Sequence, residues 1–529
     1  MPMRTLHKSL AYLGVLVCAA MGQFAACASY SSDCSENGIC LRNGDEYRGG
    51  GQVSPECKAL PSEDSSVIKD ECGIFVSSSA ADGGDGTKAK PFKSLQAGLD
   101  AAKSAKFRVY ACAETYAEEA KADSVSLFGG FDCANGWAYV VDSAKRAIIA
   151  PKDGVPLRVS GGGDLLVQDI VARAPDYSGL PPDAMQPAKS SIAVFANEAT
   201  VDFSRCNMEG NNAQGGAEGE TPLDDPDTLN GSSGNPGKGI CEAGADNPGG
   251  AAMTKMCPDG STSVGGEGGD GGTVQTSPSF MAFAGGDGAD GAPAGSAGQK
   301  GVGEFESGAW SCANDGNGTP GQSGDKGGPG AGATAGKIDA TGYVPTSGMA
   351  GEYGKPGQGG GGGGGARGAQ GVCGGTTRAG ASGGSGGTGG CGGRGGGGGF
   401  GGGASIALLS YNASVVLSDC VLKSAAGGSG GTGGDGQTGG GGGTGASGGL
   451  KSGSSNSACA GGAGGEGGNG GPGGGGAGGP SVGIAHVGKA PEKRGSTMIT
   501  PGTPGNGGLG GGIMSNAGAN GTTGELVAF

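Results

Sequence analysis

The sequence predicts an all-β fold: a β-helix whose rungs are interrupted by long glycine-rich insertions. Three observations carry this. First, short apolar runs follow one another with turn residues between them: Val125 and Leu127, then Ile148, Leu157 and Val159, then Leu165 and Val167. Such runs are the signature of short strands. Second, one unit recurs. Ser191, Ile192 and Ala193 match Ser405, Ile406 and Ala407, and at the same offset Val201, Phe203 and Cys206 match Val415, Leu417 and Cys420. A weaker earlier copy puts Leu165, Val167, Asp169 and Ile170 at the positions of Val201, Phe203, Arg205 and Cys206, and a partial late copy begins at Ser481. Repeats of one supersecondary unit read as a solenoid, with insertions as loops. Third, the matched units are separated by glycine: 132 Gly and 26 Pro stand among 529 residues. A sandwich is the alternative fold.

The N-terminus carries Arg4 and Lys8, then an apolar stretch from Leu10 to Met21, then small residues. This pattern reads as a signal peptide over residues 1–26, too short for a membrane span. Phe24-Ala25-Ala26-Cys27 resembles a bacterial lipobox, which implies a lipid on Cys27; the alternative is cleavage after Ala28. An even number of cysteines behind an export signal suggests disulfides. Residues 27–72 read as a cysteine-containing polar segment or linker, in which Cys34, Cys40, Cys57 and Cys72 could pair among themselves.

Residues 73–208 read as the N-terminal part of the β-helix. Leu95, Leu99 and Ala102 share one helical face, which suits a short helix covering the unpaired edge at the open end of the stack. Cys112 follows the run at Val109 and Cys133 ends the next one, so stacked rungs would bring the two together in a disulfide. The matched Cys206 and Cys420 are expected to stack as small inward residues or to form a bond.

Gly86-Thr87 before Lys90-Pro91-Phe92, a helix, then Val109-Tyr110 and Glu114-Thr115-Tyr116 resemble the entry of a pectin-lyase-like right-handed parallel β-helix. The phrases around Ser62, Gly73–Ser77, Arg108–Cys112 and Leu127–Cys133 resemble the glycine-rich exported proteins of PGRS type in myxobacteria. The likeness spans roughly residues 57–216. It implies a fold and an exported address, and no reaction.

On this reading residues 209–404 are one glycine-rich insertion, 405–422 a further rung, 423–480 a second insertion, and 481–529 the last strands with a glycine-rich tail. One domain is preferred to two, because a few rungs alone would be marginal. The glycine stretches keep a period of three around Gly383, Gly427 and Gly461. A disordered coil is the favoured reading. The alternative is a polyglycine-II-like bundle of extended left-handed chains.

The net charge of −15 argues against a nucleic-acid partner. Three G-G-x-G-x-D matches end at Asp270, Asp290 and Asp435, but the apolar residue due two places later is Gly272, Ala292 or Gln437, so no calcium and no other metal or cofactor is expected. His486 is the one histidine beyond the signal and is not expected to be catalytic. Asp169, Arg205 and Asp419 share one repeat position; a surface charge ladder is preferred to a lyase row. The expected function is therefore that of an exported, lipid-anchored outer-membrane or cell-surface protein of structural, adhesive or glycan-binding type, or a secreted one if cleaved after Ala28. Its expected partners are extracellular polysaccharide or cell-surface components, and the membrane through the lipid. A polysaccharide lyase or hydrolase on the same scaffold is the alternative.

Overall fold

The computed structural model describes residues 53–529, apart from 105–106, 141, 143, 278, 294–296, 306–309 and 513–515. The signal segment, Cys27, Cys34 and Cys40 lie outside the described residues.

The chain is mostly β, and its core is built from three sheets of parallel strands, one of which also carries the short antiparallel strand Ala138–Tyr139. From Ala120 onward the chain visits them in a fixed cycle. Ala120–Asp123, Leu157–Ser160, Ser191–Asn197, Ser405–Tyr411, Ser481–Val487 and Thr523–Ala528 form one sheet. Ser126–Asp132, Asp164–Gln168, Thr200–Ser204, Ser414–Ser418 and Glu492–Arg494 belong to the next. Ala147–Ile149, Ile170–Arg173, Asn207–Glu209, Val421–Lys423 and Met498–Thr500 belong to the last. Alternation sets the inside: Leu165, Val167, Val201, Phe203, Val415 and Leu417 are all buried in one core cluster.

The repeat read from the sequence is a pairing register. Ser191 pairs with Ser405, Val201 with Val415 and Asn207 with Val421. The earlier copy pairs Leu165 with Val201, and the late copy pairs Ser405 with Ser481. The offset outlasts the strands: Thr438 N donates to Asp224 Oδ1 across the same 214 residues.

Both ends of the coil are closed by polar chemistry. At the start, the helix Leu95–Lys103 is capped by Ser94, whose Oγ accepts from Ala97 N, and buries Leu95, Leu99 and Ala102 on the core. Its Gln96 Oε1 accepts Lys121 N at 2.7 Å, taking the place of a preceding strand. Glu114, beside this end, accepts from Ser79 N and Oγ, Ser78 Oγ and Ser77 Oγ. Burial opposes its charge, yet the bonds from Ser79, Ser78 and Ser77 outweigh it and hold the carboxyl below its usual range. A lowered folded value means the contribution is complete above the unfolded value and is lost as pH falls through the folded one. Glu114→Gln should therefore destabilise the protein at neutral pH by an amount that shrinks as pH falls through and below the ordinary glutamate value of about 4.3. Urea unfolding of both proteins from neutral pH to below that value tests this; a constant difference would refute it. At the far end Lys493 stands in register with the core residue Leu417, so it points inward, and its Nζ reaches Glu525 at 3.3 Å. An inward charge on an edge strand blunts further pairing.

Residues 53–72 are not a linker. Leu60, Val67 and Ile68 pack with Phe75, Tyr110, Phe128 and Trp137, and Cys57 is bonded to Cys72. Arg108, fully buried, donates to the carbonyls of Cys57 and Ala59.

The glycine stretches are ordered, against the coil favoured from sequence. Gly351, Gly354, Gly357, Gly360 and Gly363 donate to the carbonyls of Gly396, Gly393, Gly390, Gly387 and Gly384. Each donor advances three residues while its acceptor retreats three, so the two extended chains run antiparallel. Gly390, Gly393 and Gly396 donate in turn to Gly465, Gly468 and Gly471, and these donate to Gln358, Lys355 and Glu352. A left-handed helix of three residues per turn makes no bonds within itself, so its amides are free to bond neighbouring chains. The result is a lattice. It is closed by Cys241–Cys373, Cys257–Cys391 and Cys312–Cys459. Every excursion leaves the coil at the same corner, after Glu209, Lys423 and Thr500, so the lattice begins as a continuation of the stacked rungs: Gly216 N donates to Ser429 O, and Gly430 N to Asn506 O. Nor is 209–404 a free loop. Its hairpin Lys337–Asp339 and Gly342–Val344 lays Ile338 and Tyr343 over Phe195, Ile406 and Leu409.

Candidate binding site

The repeat position of Asp169, Arg205 and Asp419 is a corner of the coil. All three take positive φ, at 55°, 51° and 54°. They turn the chain from one sheet to the next, a conformation that aspartate tolerates better than most residues. Arg205 donates through Nε to Asp169 Oδ1 at 3.0 Å and through Nη2 to Asp169 Oδ2 at 2.8 Å and the Tyr139 hydroxyl at 2.7 Å. Tyr139 donates its own proton to Asp169 at 2.5 Å. Burial, with the hydrogen bond and charge of Asp169, raises the Tyr139 phenol above its ordinary value. The Asp169 side chain is only 8% exposed, so this is a closed cluster and not the surface ladder expected. Asp419 stands apart and accepts Ser496 N at 2.8 Å. With Asp169 tied to Arg205 and Tyr139, it is not free to act as one of the paired carboxylates that glycoside hydrolysis uses.

One residue further on, Cys206 and Cys420 are buried free thiols, not a disulfide. Cys206 N donates to Cys420 Sγ at 3.4 Å. Matched residues on parallel neighbours hold their Cα–Cβ bonds side by side about 4.8 Å apart, whereas a disulfide needs Cβ atoms nearer 3.8 Å and turned toward each other. Burial raises the Cys206 thiol well above its ordinary value, which keeps it inert. Cys112 and Cys133 are joined. His486 Nδ1 lies 3.3 Å from Gly488 O, within its own turn. Asp270 and Asp290 each accept one backbone amide, of Gly249 and Lys300, at 2.8 Å. They act as stand-ins for carbonyls in the lattice. Asp435 lies on the exposed row of the lattice. Among the described residues no group of three or more histidine, cysteine or acidic side chains gathers to hold a metal.

The open site lies elsewhere, at one end of the lattice. A groove of about 660 Å³ is lined by Phe280, Met281, Glu304, Arg367, Ser454 and Asn456, among others. Four distant segments meet there because the lattice runs their extended chains side by side. Gly285 N donates to Glu304 O, and Glu304 N to Gly365 O, which places the first three segments in adjacent rows. Glu304 is 4% exposed. It accepts Asn456 Nδ2 at 2.8 Å and Arg367 N at 2.9 Å, so its carboxylate holds the groove's floor together. Arg367 donates through Nε and Nη2 to Ala282 O at 3.1 and 2.9 Å, which fixes the guanidinium plane. Phe280, Met281 and Phe283 are exposed beside it. Sequence reasoning missed this site. Its one signal was a cluster of aromatics, Phe280, Phe283, Phe305 and Trp310, in a stretch otherwise given to glycine.

No family model, no curated protein and no solved structure matches this chain.

Proposed function

We propose that the three-sheet coil is a right-handed parallel β-helix of pectin-lyase-like kind, and that the protein is an exported, non-catalytic surface protein that binds glycan. On this reading it belongs with the PGRS-type exported proteins it resembles. The observation that carries the binding role is the groove: an apolar wall of Phe280 and Met281 beside polar groups whose one carboxylate, Glu304, is held within the floor. Apolar walls with a few placed polar groups are the usual make-up of a ligand site. A catalytic acid or base needs instead to reach the substrate. The buried Asp169 is likewise closed off by Arg205 and Tyr139. Five disulfides among the described residues support an oxidising compartment beyond the cytosol. The lipobox-like Cys27 supplies the anchor in this reading, and the net charge of −15 speaks against nucleic acid.

Two measurements test the proposal together. Intact mass of the mature protein should show an acylated N-terminal Cys27, whereas a chain starting at Ser29 removes the anchor. A glycan array run beside lyase and hydrolase assays on the same polysaccharides should show retention without chain cleavage. Turnover of any bound polysaccharide would sink the non-catalytic reading.

A further inference from the structure

We propose that the groove at the end of the glycine lattice takes an acidic saccharide, a short stretch of a chain containing uronic acids. This rests on the glycan-binding reading and adds its site and its charge class. The argument begins with charge. The protein carries a net −15, and two charged residues line this groove: Arg367, which is partly exposed, and Glu304, which is 4% exposed. Glu304 does not neutralise the guanidinium directly. Its two oxygens are taken by Asn456 Nδ2 and by the backbone amide of Arg367, and the residue is almost wholly buried. Among the described residues the Arg367 side chain donates to one carbonyl, that of Ala282, through Nε and Nη2. Among the described residues, that leaves the Nη1 edge without a carboxylate partner. A guanidinium fixed in plane and lacking such a partner is suited to bind a carboxylate.

The remaining groups suit a sugar ring. Phe280 is 39% exposed and Met281 50% exposed, and both line the groove. They offer an apolar wall for the C–H face of a pyranose. Ser454 and Asn456 bring a hydroxyl and an amide to the same groove for ring hydroxyls. The volume of about 660 Å³ fits a few sugar units. The floor is rigid, because the rows beneath it are tied by backbone bonds of 2.8–2.9 Å, so little ordering cost accompanies binding.

The test is calorimetric titration of the full mature chain with oligogalacturonate and with the same oligomer reduced to its neutral form. The acidic oligomer should bind about tenfold more tightly than the neutral one. Phe280→Ala and Arg367→Gln should each weaken it about tenfold, with the thermal midpoint unchanged. Phe280→Ala carries the test if Arg367→Gln loosens the Ala282 segment. If the wild type binds and both variants bind equally well, the groove is not the site, though the protein still binds glycan. Equal binding of both oligomers overturns the acidic class. Binding of neither, here and on the array, removes the site and the glycan reading together.

Discussion

Replacing Gly386 with valine should melt the glycine lattice while leaving the parallel coil folded. A Cβ at this position would sit 2.0 Å from the carbonyl oxygen of Gly360 and 2.5 Å from its carbon. Both are backbone atoms of a neighbouring chain, so no side chain can swing aside. Gly386 N itself donates to Gly266 O at 2.8 Å, so moving the chain away breaks bonds on the other side. The cost should exceed about 4 kcal/mol, the range reserved for overpacking and loss of a buried network together. Gly179→Ala is the control: nothing lies within 4 Å of its added Cβ, and its effect should stay within about 0.5 kcal/mol. Amide hydrogen exchange reads the outcome directly. The amides of Gly351–Gly363 and Gly461–Gly476 should lose protection in Gly386→Val, and those of Val201–Ser204 should keep it. Full protection throughout would mean that the glycine chains are not packed as described.

Removing the three lattice disulfides should split unfolding into two transitions. Cys241–Cys373, Cys257–Cys391 and Cys312–Cys459 close separations of 132, 134 and 147 residues. Loop-closure reasoning gives each about 5 kcal/mol. All three lie in the lattice, where only a few small apolar clusters, such as that around Ile240 and Val372, supply burial. Glycine loses the most backbone entropy on ordering and brings no side chain to bury, so restraint of the unfolded chain matters more here than in the coil. With all six cysteines replaced by serine, calorimetry should show an early transition for the lattice and a later one for the coil, which retains Cys57–Cys72 and Cys112–Cys133. A single transition at the wild-type temperature would show that packing alone holds the lattice.

The coil was legible in the sequence because its information lies in side chains. Val201 and Phe203 alternate with polar neighbours because they face the core, and Val415 and Leu417 repeat them because they lie directly above. The helix at Leu95 was legible for the same reason. The lattice was not. Its period of three was visible, but which chain bonds to which is written in backbone amides that every glycine shares. The few side chains that mark partners do so only once the fold is known: Ser382, Ser385 and Thr388, spaced by three, accept the amides of Lys238, Asn235 and Ser232. The groove was hidden by distance, since Phe280, Glu304, Arg367 and Asn456 meet only across lattice rows. The cover formed by residues 53–72 was hidden because its apolar residues are few and have no period.

The shared corner of departure has a consequence for how such a molecule changes length. Each excursion enters the lattice in step with the rung beneath it, and its amides point at a carbonyl every third residue. Losing three residues from an arm shortens it by one helical turn and returns every remaining amide to an equivalent acceptor. Losing one or two rotates the rest of the arm by a third or two thirds of a turn, and places side chains where only glycine fits. The arms thus have something like a reading frame, counted in amino acids instead of nucleotides. Lineages carrying this architecture should lengthen and shorten their arms in triplets, while the coil itself changes only by whole rungs.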